Sequence, residues 1–228
     1  MNFAPMKIEE YRGVADLVIA PLTKDDENEL TYGDVIELAG IAELSKETET
    51  AQETHYYNNK AATVISGEGA DTYTLKISAL ELQRLALIAG RHYDEVTGAL
   101  LETIRKLKYF AVGYTTGLTG DAEIGDYDRY VWKYKCQFDL PNEKAVTKSN
   151  QATAEGQELK FTSIFTNHKF ETEEGEKESA KGLVVADVGK VDLADFFKKV
   201  TFLADLKEKV NDPEAANVEG EEEPDAGE

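Results

Sequence analysis

A single cysteine, Cys136, excludes an internal disulfide, and its position in a strand-like run reads as a small buried hydrophobe. Bases are scarce. Against 45 Asp and Glu stand 25 Lys and Arg, a net charge of −20, and such a surface repels duplex nucleic acid unless its bases are gathered on one face. A sequence-reading nucleic-acid binder is therefore disfavoured. No uncharged apolar run approaches the roughly 20 residues of a membrane span, and the amino terminus MNFAPMKIEEYRG lacks an apolar core of signal-peptide length. A soluble protein made in a cytoplasm, with no membrane partner, is expected.

Signatures of chemistry are missing as well. His55, His92 and His168 are far apart in the chain, and none has a second His or Cys at the spacing that builds a zinc site. GEGADT at 67–72 begins like a dinucleotide fingerprint but has Thr72 where the third glycine belongs, so it reads as a turn. There is no GxxxxGK[ST] loop, GxSxG elbow or HExxH pair. Asp121, Glu123, Asp126 and Asp128 have the composition of a calcium loop, but Gly125 takes a ligand position and Trp132 stands where the bidentate Glu belongs, which favours a solvated turn. With 45 acids, no carboxylate pair stands out for glycoside chemistry. No catalytic, cofactor-binding or metal-binding residue is nominated, and the chain is not expected to be an enzyme.

What the sequence does have is material for a core. Hydrophobic residues make up 41%, with eleven Tyr and nine Phe, too much for a disordered chain, and 228 residues suit one large domain or one domain with an appendage. The appendage is visible in the charge. Asp212, Glu214, Glu219, Glu221, Glu222, Glu223, Asp225 and Glu228 follow Lys209 with no base among them, so residues 210–228 read as an acidic disordered tail, and residues 1–209 keep −12 of the −20.

Alternation with period two dominates the rest. From 128 to 139, Tyr130, Trp132, Tyr134, Cys136 and Phe138 would line one face and Arg129, Lys133, Lys135, Gln137 and Asp139 the other, with Val131 the apolar exception, as in a half-buried strand. Weaker strand patterns occur at 13–20, 40–48, 60–66, 72–78, 108–115, 158–166 and 182–188. The spacers carry Gly67, Gly69 and Asp71, then Gly117, Gly120, Asp121 and Gly125, then Pro141 and Asn142. Two segments read as helices. Ser78 and Glu81 match a capping box before ALELQRLALIA and a stop at Gly90, predicting a helix at 79–89. Asp192 then precedes a stripe of Leu193, Phe196, Phe197, Val200, Leu203 and Leu206, predicting an amphipathic helix over 193–209 whose stripe faces a core.

The order of segments carries a resemblance. GVADLVIAPLT, LTYGDVIELAGIAELS, THYYNNKAATVISGEGADTYTLKIS with a following helix, KYFAVGYTTG and RYVWKYKCQF together resemble, over roughly residues 12–170, the major tail protein family of long non-contractile-tailed bacteriophages. The most telling pieces are the Tyr32-Gly33 turn, the stretch Tyr56, Tyr57, Asn58 and Asn59, the strand-to-helix unit at 72–90 and the aromatic strand at 130–138. The resemblance implies a mainly β (α+β) fold: an antiparallel β-sandwich or partial barrel over 1–190 with a flanking helix. The C-terminal helix (191–209) and the tail (210–228) lie beyond the shared pattern.

It also implies a structural virion protein that assembles into stacked hexameric rings forming the tail tube, a negatively charged conduit through which genomic DNA passes without specific binding. Its partners would be copies of itself and, by family resemblance, the tape measure, tail terminator and distal tail proteins. Its places would be the host cytoplasm during assembly and then the virion tail. The polar, tyrosine-bearing segments 21–34 and 48–59 are candidate arms, with Tyr32, Tyr56, Tyr57 and Asn59 as expected subunit contacts. A tube protein of a type VI secretion or phage-like injection device, and a monomeric carbohydrate-binding or adhesion β-sandwich, are the alternatives.

Overall fold

The computed structural model describes residues 8–57, 60–120, 125–143, 156–171 and 175–209, with 51–57 and 60–66 described as backbone alone. Its elements in chain order are β1 (Glu9–Asp25), β2 (Leu30–Tyr32), β3 (Ile36–Glu37), β4 (Ile41–Tyr57), β5 (Lys60–Ile77), α1 (Leu82–Ala89), β6 (His92–Asp94), β7 (Ala99–Leu101), β8 (Phe110–Gly120), β9 (Asp126–Phe138), β10 (Gln157–Ser163), β11 (Lys169–Glu171), β12 (Lys177–Ser179) and β13 (Gly182–Ala186). The fold class is the expected one: mainly β, antiparallel, with one α-helix.

The main sheet runs β2-β1-β8-β9-β10-β5-β4, with β3 added to β1 and β13 to β9. It curls until β4 comes back against β1, although no ladder joins the two among the described residues. The curl is a partial barrel. Its interior holds Ile19, Leu75, Phe110, Val112, Phe138, Leu159 and Phe161, all fully buried, with Ile88 of α1 packed against them. Tyr73 stacks on Phe161 at a centroid distance of 4.5 Å, and Phe138 meets both Phe110 and Phe161.

β9 departs from the half-buried strand expected of it, because both of its faces are covered. Phe110 pairs with Cys136 while Val112 pairs with Lys133, so β9 contains an extra residue there, a bulge that reverses the inside and outside of the strand. Tyr130, Trp132 and Tyr134 lie in a second, outer core, whereas Val131, Cys136 and Phe138 belong to the barrel interior. At the bulge the strand also forks: its first half pairs with β13 and its end with β10. Lys135, expected in solvent, is consequently buried, and the Lys133 side chain is mostly so, at 11% exposure. Cys136 is the buried hydrophobe expected, and burial pushes its thiol up to about 12.

The outer core is closed by residues 190–209, which are not the helix their periodicity predicts. The stripe is buried as expected at Phe196 and Val200, but the backbone is a series of turns ending in a 3-10 turn at Leu203–Asp205. Its carbonyls are used otherwise. Trp132 Nε1 and Thr201 Oγ1 both donate to Phe196 O, and Tyr134 Oη donates to Thr201 O, so side chains take acceptors that a helix would give to its own amides. The ends are clasped strand-fashion by Asp192 N to Lys207 O and Lys209 N to Lys190 O.

Two smaller departures have local causes. Helix α1 begins at Leu82 instead of 79, because Ser78 makes no cap: its Oγ accepts from Gly40 N and its own amide donates to Gly40 O. The stop at Gly90 is as expected, with φ of 62° in the left-handed region. GEGADT is no turn. The strands expected at 60–66 and 72–78 are one, β5, and Gly67 pairs across with Ala51. Between Thr48↔Asp71 and Thr50↔Glu68, β5 has the extra residue, a bulge at Gly69 and Ala70 facing Glu49; a Cβ on Gly69 would come within 3.1 Å of Glu49, so glycine is what lets the ladder continue.

Candidate functional site

Two of the longest elements, β4 and β5, define the feature that reaches furthest past its neighbours. β4 and β5 pair from Ile41↔Ile77 to Tyr57↔Lys60, but β10 flanks β5 only from Asp71 to Ile77. From Thr50↔Glu68 outward, eight cross-strand pairs have no other strand beside them among the described residues, a ribbon of about 27 Å at the usual rise per residue. A two-stranded ribbon is marginal in water by itself. Among the described residues the outer edge of β4 has no partner strand, the kind of edge that proteins cover or pair.

The expected contact residues fall in different places. Tyr56 and Tyr57 end β4 at the tip of this ribbon, paired with Ala61 and Lys60; Asn59 lies outside the described residues. Tyr32 is elsewhere, on the strand at the opposite end of the sheet order. Its hydroxyl donates to Tyr134 O at 2.8 Å, its ring packs against Phe202 at 6.3 Å, and burial raises its pKa above that of an ordinary phenol. It serves the outer core. Tyr32→Phe is expected to lower stability by about 1 kcal/mol, the worth of one such bond, which a urea titration would measure.

Segment 21–34, expected as an arm, is instead folded back: β1 runs on to Asp25, turns, and returns as β2. Asp25 holds that turn to the body. Its carboxylate accepts from Lys135 Nζ at 2.5 Å and from the amides of Asn167 and His168. Burial alone would raise the pKa of Asp25, but these donors outweigh it and hold the pKa below the usual range. In the acid cluster, Asp126 and Asp128 are paired with Arg12, while Asp121 and Glu123 lie outside the described residues, as do 210–228.

A set of exposed apolar side chains follows α1 that no local pattern marked. Val96 is 94% and Ile104 91% exposed, with Leu101 and Leu107 also mostly in solvent. The backbone beneath is anchored, since Arg105 donates to Phe138 O and Lys106 N donates to Gly90 O, so these side chains are held outward by a fixed segment. Four exposed apolar side chains within residues 96–107 are a candidate interaction surface if they form one patch.

A charged cluster was equally hidden. Asp71, read as a turn residue, is 1% exposed and lies 3.1 Å from Lys46 Nζ, 3.2 Å from Lys181 Nζ and 4.0 Å from Lys133 Nζ; Lys181 also meets Glu68 at 2.5 Å. Among the described residues, no group of three or more His, Cys, Asp or Glu side chains is placed to hold a metal ion, and no helix is long and apolar enough to cross a membrane. No protein-family model matches this chain, and no curated protein matches it.

Proposed function

We propose that this chain is a structural subunit that assembles with copies of itself into stacked hexameric rings, forming the tail tube of a long non-contractile-tailed phage, and that it has no catalytic activity. The observation that carries the reading is the ribbon of β4 and β5 extending past every other strand among the described residues, an element that association with another copy would supply with partners. Ring size and stacking come from the family resemblance, as do the tape measure, terminator and distal tail partners and the place in the virion. The charge fits a conduit: acids facing a bore repel phosphate at short range, so DNA slides without being held, although salt screens the effect beyond about 8–10 Å.

Size exclusion and negative-stain microscopy of the purified protein, with and without a tail-tip initiator complex, test the reading. Rings or tubes support it. A persistent monomer in both conditions, under salt that permits assembly, sinks it. The exposed run refines the test: Ile104→Asp with Leu107→Asp should leave monomer stability within about 0.5 kcal/mol, because both side chains are already in solvent. The same pair should raise the protein concentration needed for assembly at least about tenfold, the effect of losing about 1.4 kcal/mol at each contact.

A further inference from the structure

The unsealed seam of the barrel, where β4 approaches β1 without pairing, holds a cavity of about 620 Å³. In a chain of net charge −20, no aspartate or glutamate lines it, whereas Lys46, Arg129 and Lys133 do. The cations differ in how well they are compensated. Arg129 pairs with Glu9 at 2.9 Å, and Lys46 pairs with Asp71 at 3.1 Å. Asp71 also receives Lys181, which Glu68 helps to neutralise. Among the described residues, three ammonium groups therefore share two carboxylates, and Lys133 is the least closely paired, with Asp71 at 4.0 Å and the face of the Tyr73 ring at 5.9 Å.

An uncompensated buried cation is costly, and it either loses its proton or recruits an anion. Burial, with Lys46 nearby, holds Lys133 below the ordinary lysine pKa, as expected of a site waiting for a counter-charge. A second group points the same way. Tyr73 is fully buried and is one of the residues lining the same cavity; its hydroxyl is near enough to Tyr114 for the two phenols to influence each other, yet it makes no hydrogen bond of normal geometry. A buried hydroxyl without a partner is rare unless something is meant to meet it. The remaining wall is apolar at Val14, Leu44 and Val131.

We propose that this cavity binds a carboxylate carried on an apolar or aromatic body, the carboxylate received by Lys133 and the Tyr73 hydroxyl and the body packed along Val14, Leu44 and Val131. The carboxylate is either that of a free organic acid or that of an acidic side chain from a second copy of this chain. The site itself does not depend on the assembly reading, because it can be measured on the dilute monomer.

The test is calorimetric titration of the full chain with 2-naphthoate and with its neutral isostere 2-naphthamide. Saturable one-to-one binding of naphthoate, at least about tenfold tighter than the amide, is expected from the loss of a charge-assisted bond. Lys133→Met should abolish that preference. Tyr73→Phe should weaken naphthoate about five- to tenfold while melting at the same or a higher temperature, since it removes a buried hydroxyl that the free protein leaves unpaired. This second variant decides the matter if the first fails to fold. A probe bound alike by dilute and assembled protein assigns the site to free acids, and one excluded from assembled protein assigns it to a neighbour's side chain. Equal affinity for acid and amide, unchanged affinity in a folded Tyr73→Phe protein, or no binding at about 10 mM overturns the proposal.

Discussion

Asp71→Asn is expected to lower folding stability by about 3–5 kcal/mol, read as a fall in the denaturant midpoint at unchanged slope. The carboxylate is almost fully buried and is the only acid within ion-pair distance of both Lys46 and Lys133 among the described residues. The amide keeps the shape but removes the charge, leaving Lys133 and Lys46 without a carboxylate in ion-pair range among the described residues and Lys181 with Glu68. Lys46→Met should cost far less, because that side chain is 43% exposed and Asp71 keeps Lys181. A similar loss in both variants would mean that packing, and not charge, sets the value.

The same group makes stability depend on pH. Burial by itself would raise the pKa of Asp71, but hydrogen bonds from Lys46, Thr48 and Lys181 more than offset it and hold the pKa below the ordinary value. A folded pKa below the unfolded one stabilises the fold above the unfolded pKa of about 3.9, and that stability is lost as pH falls from there through the folded value. Asp25, held low by Lys135 and two backbone amides against its own burial, adds to the same acid transition. Midpoints measured between pH 7 and about 3 should therefore drop steeply below about pH 4 in the native protein and less steeply in Asp71→Asn.

Sequence pattern and structure part company where side chains from distant strands meet. The strand at 128–139 was legible because aromatic and basic residues alternate there, and β9 is found at Asp126–Phe138. Its buried second face was not, because the bulge that sends Tyr134 outward and Cys136 inward depends on pairing with Phe110 and Val112. The burial of Phe196 and Val200 was legible from spacing, but their turn-rich backbone was not, since Trp132 and Tyr134 take the carbonyls a helix would need. Periodicity reports which side chains are buried; it does not report what else competes for the backbone.

The candidate site divides in the same way. A polar stretch with paired tyrosines before an Asn-Asn step marked out 48–59 locally, and Tyr56 and Tyr57 do end the ribbon strand. The cluster of Lys46, Asp71, Lys133 and Lys181 left no local mark, because four strands or their flanks each contribute one residue. Asp71 in particular looked like a turn residue between glycines, and only the register against Thr48 and Ser163 places it inside.

Removing the ribbon should abolish assembly while sparing the fold. Thr50 and Glu68 face each other directly, so replacing residues 51–67 with Asn-Gly closes the hairpin by a two-residue turn of the kind that matches strand twist. Glu68, Gly69 and Asp71 all remain, and with them the ion cluster and the bulge at the ribbon's base. Among the described residues, no strand other than its own partner borders the excised part, so the loss in monomer stability should stay below about 1 kcal/mol, near the ordinary range for changes away from a core. The effect on association should be far larger. A stable interface buries on the order of 1,200–2,000 Å², and a shortened hairpin forfeits the longest unpaired edge available to contribute to it. Particles counted by negative stain at matched concentrations should fall from tubes or rings to none, with size exclusion reporting a folded monomer. Tubes of normal diameter built from the shortened chain would show that the ribbon is not what joins the copies, and would leave the exposed run at Ile104 and Leu107 as the surface to test next.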